Sequence, residues 1–170
     1  MTVQCFVDAN ILIYHVDHSD PVKQELASVL IRRLWSEQSA RTSIQALNEF
    51  YTVVTRKLSH LVAPDMAWAH IEDLLQWDPQ PVDASVVREA RAIELRYKIG
   101  WWDCLIVAAA RVQHCSVMYT EDLQHGAIIG GVKVVNPFIS QVQEEPASYV
   151  VQLISPHRPR GRPRKQAATA

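Results

Sequence analysis

Four acidic residues, Asp8, Glu49, Asp103 and Asp122, sit at or inside apolar stretches of this chain. Asp8 ends the run Gln4-Cys5-Phe6-Val7, and Asp122 follows Ser116-Val117-Met118-Tyr119 within Thr120-Glu121-Asp122. Asp103 lies between Trp101-Trp102 and Cys104-Leu105-Ile106-Val107, while Glu49 abuts Leu47 and Phe50. Taken singly, each has an ordinary explanation. An acid after a strand caps a helix, a Glu on an amphipathic helix faces solvent, and Asp103 complements the dipole of a helix starting at Trp101. Taken together they point to chemistry. A carboxylate among apolar residues loses its hydration unless paired or bound to a cation. Carboxylates that converge repel one another unless a divalent ion offsets the charge. Oxygen donors without a Cys or His cluster select Mg²⁺ or Mn²⁺ over zinc. Such an ion acidifies a bound water, orients a phosphate and stabilises the leaving oxygen, which suits phosphodiester hydrolysis.

The elements that must position these acids can be read from patterning. Gln4 to Val7 is a short apolar run that reads as a first strand, followed by a short helix from Asn10 to Val16. Asp20-Pro21 is an N-cap followed by proline at the first helical position, opening a helix to about Glu37. Arg41-Thr42-Ser43 is β-compatible, and Ile44, Leu47, Phe50, Tyr51, Val54 and Leu58 mark one face of the next helix. Pro64-Asp65 begins a helix ending before Pro79, and Asp83 caps another from Ala84 to Tyr97, with Gly100 as its C-terminal stop. Trp101 to Val112 is apolar nearly all round and is expected to be buried. Residues 116–119 and 132–135 read as strands, the second ended by Asn136-Pro137. Strands alternating with helices predict an α/β sandwich with a mostly parallel sheet, whose ligands bind at the carboxyl ends of the strands. Asp8 and Asp122 both fall at that rim.

Length and composition set the class. One compact domain fits 170 residues, and 48% hydrophobic with 21% charged residues is ordinary for a soluble globular protein. No apolar run is long enough to cross a bilayer and no signal peptide is visible, so a cytoplasmic location without membrane attachment is expected. Cys5, Cys104 and Cys115 lack CxxC spacing and sit in apolar segments, as buried free thiols would. The seven histidines show no ligand spacing, and those of Trp68-Ala69-His70 and Gln113-His114 read as helix-surface positions.

Four segments in order resemble the PIN domain, specifically VapC-type toxins of bacterial toxin–antitoxin modules. They are Phe6-Val7-Asp8-Ala9-Asn10-Ile11-Leu12, Leu47-Asn48-Glu49-Phe50-Tyr51, Trp102-Asp103-Cys104-Leu105-Ile106 and Tyr119-Thr120-Glu121-Asp122-Leu123, spanning about residues 1–138. The resemblance implies a PIN-like α/β/α sandwich with Asp8, Glu49, Asp103 and Asp122 as catalytic metal-binding acids. It implies Asn10 and Thr120 as supporting polar groups, with Glu121 competing with Asp122 for the fourth place. It further implies an Mg²⁺- or Mn²⁺-dependent ribonuclease acting on RNA, held inactive by a cognate antitoxin and forming a homodimer.

Residues 139–154 continue beyond that pattern as a linker, and residues 155–170 form a basic tail. The tail holds five of the chain's 17 Lys and Arg and no acid, leaving 12 bases against 18 acids in the body. An acidic body is a poor electrostatic match for nucleic acid unless metal ions or a basic element offset it. The core Arg160-Gly161-Arg162-Pro163 resembles an AT-hook, in which arginines enter the narrow minor groove of A·T-rich DNA. The alternative is a basic tail that touches any polyanion. Two rivals stand beside the toxin reading: an RNA-processing nuclease without an antitoxin, and a DNA-tethered binding module whose tail acts while the body is a scaffold. An adjacent antitoxin gene separates the first two.

Overall fold

The computed structural model describes residues 3–139. The expected tail site, Arg160, Gly161, Arg162 and Pro163, lies outside the described residues, as does nearly all of the linker. The order of elements is β1 (Cys5–Val7), α1 (Ala9–Val16), α2 (Pro21–Ser36), β2 (Ala40–Arg41), α3 (Ile44–Arg56) and α4 (Pro64–Leu74). A short 3₁₀ turn at Leu75–Trp77 follows, then α5 (Ala84–Tyr97), α6 (Trp101–Val112), β3 (Val117–Tyr119), β4 (Ile128–Ile129) and β5 (Val132–Val135). The sheet order is β2-β1-β3-β5-β4, parallel throughout except for the antiparallel β4–β5 pair.

Alternation along the strands divides the core between the two faces of the sheet. Cys5 and Val7 point into one cluster with Leu12, Leu34, Phe50 and Ile71, covered by α1 to α4. Phe6, Met118 and Val134 point the other way, against Val86, Ala90 and Ile93 of α5 and the buried length of α6. This is the period-two signature of strands buried on both faces. It makes the molecule an α/β/α sandwich, as expected. All three cysteines are free and buried, and no helix among the described residues is long and apolar enough to cross a membrane.

The helix starts follow local capping chemistry. Asp20, Ser43 and Asp83 each accept from backbone N–H groups of the following turn, which satisfies donors that have no intrahelical partner. The end of α5 differs from expectation. Lys98, at φ 53°, takes the left-handed position, while Gly100 has an extended conformation and is the N-cap of α6. The chain thus turns two residues earlier than a glycine stop would place it, and Gly100 stands instead at the start of α6. Strand β4 is an addition to the expected set. Gly130 and Gly131, both at positive φ, close a tight turn between Ile129 and Val132, a conformation glycine adopts at little cost.

Candidate active site

The carboxyl ends of β1 and β3 are neighbours because the two strands pair in parallel with Val7 opposite Tyr119. Asp8 and Thr120, the next residues of each strand, therefore meet at one rim. Asp8 is the N-cap of α1, and its Oδ1 accepts from the Ala9 N–H at 2.7 Å. Its Oδ2 accepts from the Thr120 hydroxyl at 2.8 Å. That hydroxyl in turn accepts from Asn10 Nδ2 at 3.0 Å and from the Asp122 N–H at 3.2 Å. Asn10 Nδ2 also donates to Asp122 Oδ2 at 2.9 Å. One buried threonine and one asparagine thus tie Asp8 to Asp122 across more than a hundred residues of sequence.

Glu49 and Asp103 reach the same rim from helices. Ser43 caps α3 just after β2, and Glu49 follows on the second turn. Asp103 lies in the first turn of α6. A Cβ placed on Gly100 would lie 3.1 Å from Asp103 Oδ2, so the glycine leaves room for that carboxylate to fold back over the helix start. On α3, one turn before Glu49, Gln45 donates from Nε2 to the Trp102 carbonyl at 3.2 Å, joining the two helices beside the acids.

The electrostatics report the convergence. Burial pushes the Asp8 carboxyl up to about 6, against the lowering effect of Thr120 and Ala9, and the charges of Glu49 and Asp122 add to the rise. Glu49 is raised by desolvation, then by Asp122 and Asp103. Asp103 is raised by desolvation and then by Asp122. Asp122 is the charge that all three share. These are carboxylates held at the expense of their charged forms. Among the described residues, no three Asp, Glu, His or Cys side chains stand close enough to form a complete metal-ligand set.

Glu121 goes elsewhere. Its Oε2 accepts from Lys23 Nζ at 2.6 Å, and the same ammonium donates to the Tyr14 hydroxyl and lies over the Tyr14 ring. The structure therefore links Asp8, Thr120, Asn10 and Asp122 by hydrogen bonds, leaves Glu49 and Asp103 coupled to them through charge alone, and directs Glu121 to Lys23. Sequence reasoning missed Gln45, whose i, i+4 spacing to Glu49 was the available signal. It also misplaced His70. That ring is partly buried, 6.2 Å from His15 and 6.3 Å from Phe50. These residues line a cleft of about 260 Å³ between α1, α2 and α4, with Val16, Ile31 and Trp35 on its walls. No sequence spacing could join residues 15 and 70, because they meet through α3, against which both α1 and α4 pack.

The sequence matches the PIN domain over residues 5–128. No relative among curated proteins matches it. Solved structures share its fold. The VapC20 toxin of Mycobacterium tuberculosis, described as cleaving the sarcin–ricin loop, has a TM-score of 0.53 at 20% identity, covering 70% of this chain and 92% of that one. A toxin–antitoxin complex from Klebsiella pneumoniae has a TM-score of 0.57 at 17% identity, covering 79% and 98%. FitAB bound to an IR36 DNA fragment has a TM-score of 0.62 at 18% identity, covering 81% and 97%. At these identities the likeness to solved structures is one of fold. The family match, spanning most of the chain, goes further: this protein belongs to the PIN domain family.

Proposed function

We propose that the protein is an Mg²⁺- or Mn²⁺-dependent endoribonuclease that serves as the toxic half of a toxin–antitoxin pair. The observation that carries this reading is the hydrogen-bonded link from Asp8 through Thr120 and Asn10 to Asp122, at a rim shared with Glu49 and Asp103. The residues suit a hard divalent cation. The donors are all oxygen, Asp8 is a desolvated carboxylate in need of a countercharge, and Asn10 Oδ1 is buried without a partner. Asp8, Glu49, Asp103 and Asp122 would hold the ion, which supplies an acidified water and polarises the scissile phosphate. Glu49 is exposed and can change rotamer, whereas Asp8 is fixed by its two donors. Thr120 and Asn10 orient Asp8 and Asp122.

Several structural neighbours are toxin–antitoxin complexes, which supports an antitoxin as partner. The cleft between α1, α2 and α4 has the apolar walls that one face of an amphipathic helix would fill. RNA cleavage is expected in Mg²⁺ or Mn²⁺ and not in EDTA. Asp8→Asn should lower the rate by orders of magnitude, because a neutral amide holds a divalent ion poorly. Expression of the chain alone should slow growth, and the Asp8→Asn form should not. Full activity in EDTA overturns the metal-dependent reading. Harmless expression of an active enzyme favours an RNA-processing role instead. The Arg160-Gly161-Arg162-Pro163 core favours a second contact, with A·T-rich duplex DNA.

A further inference from the structure

The most solvent-exposed aromatic side chain among the described residues is Trp102, 70% accessible, immediately before Asp103. Its position is unusual for α6, where Cys104 to Ala110 are all buried. Its neighbour Trp101 packs into the core beneath the sheet, so the pair Trp101-Trp102 divides between anchor and surface. The backbone at Trp102 is held by the hydrogen bond that Gln45 donates to its carbonyl. An exposed indole on a fixed helix start, in the residue just before a carboxylate of the acidic rim, offers a flat apolar surface. It is also a contact without charge, which matters for a body carrying 12 bases against 18 acids. Such a body by itself draws little affinity from phosphates, so an uncharged contact would add to what metal ions and the basic tail supply. A nucleobase gains stacking energy on an aromatic face whatever its identity, provided it is not already paired and stacked.

We infer that Trp102 is a stacking platform for an unpaired base of the RNA strand, beside the phosphate presented to Asp103 and its neighbouring acids. This rests on the nuclease reading and adds to it a residue outside the acidic set that would hold the strand. The test uses the full chain and a short labelled single-stranded RNA, with Ca²⁺ replacing Mg²⁺ so that the strand stays intact. Trp102→Ala should weaken binding about tenfold, within the range for one lost stacked base. Trp102→Phe should recover most of that affinity, and Trp102→Leu, apolar but not aromatic, should not. The same strand annealed to its complement should bind weakly to all forms. Unchanged affinity in Trp102→Ala, or Leu serving as well as Phe, overturns the platform. So does a change in self-association of Trp102→Ala with RNA affinity intact, which would make this surface a protein contact. Comparing the Phe and Leu forms decides the matter even if the Ala form folds poorly. Cleavage in Mn²⁺ separates the two readings. Wild type that binds RNA through Trp102 without cutting it keeps the platform and removes the nuclease. Wild type that cuts, with Trp102→Ala binding and cutting equally well, removes the platform alone.

Discussion

Thr120 is fully buried and uses its hydroxyl three times, donating to Asp8 and accepting from Asn10 and Asp122. This arrangement lowers the cost of a desolvated Asp8 without removing it, and the consequence is measurable. The Asp8 carboxyl stands at about 6 in the folded protein against an ordinary 3.8. The folded state therefore binds more protons than the unfolded chain between those values. Stability from this group is present below about pH 4 and is lost as pH rises through about 6. The shift corresponds to about 3 kcal/mol at neutral pH in the metal-free protein. Asp8→Asn should recover part of it, about 1–2 kcal/mol at pH 7 in EDTA, because the new amide would face a Thr120 oxygen that already accepts two donors. Urea melts in EDTA at pH 4.5 and pH 7.5 should show a smaller loss for Asp8→Asn than for wild type. An equal loss would contradict the assignment. A slope should remain, since Glu49 and Asp103 are raised in the same direction. The choice between Glu121 and Asp122 also belongs to this scale. With Glu121 committed to Lys23, Glu121→Gln should change cleavage by no more than about threefold, the scale of a partly exposed ion pair. Asp122→Asn should abolish most activity. Parallel rate measurements on the two variants decide, and the reverse ranking would move the fourth acid to Glu121.

At the scale of elements, the junction between α5 and α6 sets where Asp103 lies. Lys98 takes a left-handed conformation, and Gly100 begins the next helix in extended geometry. Alanine is compatible with that backbone, so Gly100→Ala should leave stability within about 1 kcal/mol of wild type. Its methyl would press on Asp103 Oδ2 at 3.1 Å. Metal-dependent cleavage should therefore fall while the melting temperature holds, and unchanged activity would show that Asp103 need not fold back. How far the sequence was legible divides along the same line. Caps at Asp20 and Asp83, the apolar run of α6 and the strand-end acids carry their signals in adjacent residues, and the structure agrees with them. Gly100 was misassigned because a glycine after a helix reads equally as the stop of one helix or the start of the next. The two-residue β4 is too short to show a period. Lys23 with Glu121, and His15 with His70, are pairs made by packing, with no local trace in the chain.

At the scale of the molecule, charge is divided between an acidic body and the five bases of residues 155–170. Removing those residues should leave metal-dependent cleavage of a short RNA intact. If Arg160 and Arg162 enter a minor groove, the full chain should prefer A·T-rich over G·C-rich duplex in competition at fixed salt, and Arg162→Ala should lose that preference. Equal affinity for both duplexes, with each lost arginine lowering the salt slope by about one, would leave a tail that binds polyanions generally.

The borders of the sheet bear on a different question, how this fold avoids sticking to itself. Strand β2 is two residues long, and just past it the chain at 42–44 is already occupied: Gln80 donates its N–H to the Thr42 carbonyl and accepts from the Ile44 N–H. The opposite border, β4, is equally short and runs straight into the Gly130-Gly131 turn. Neither presents a long open ladder that could recruit a passing strand, the usual first step toward fibrils and disordered aggregates. These borders leave helical faces and side-chain clefts as the surfaces for association, so a partner would have to bring side chains to fit them, and a bare extended backbone would find little to hold.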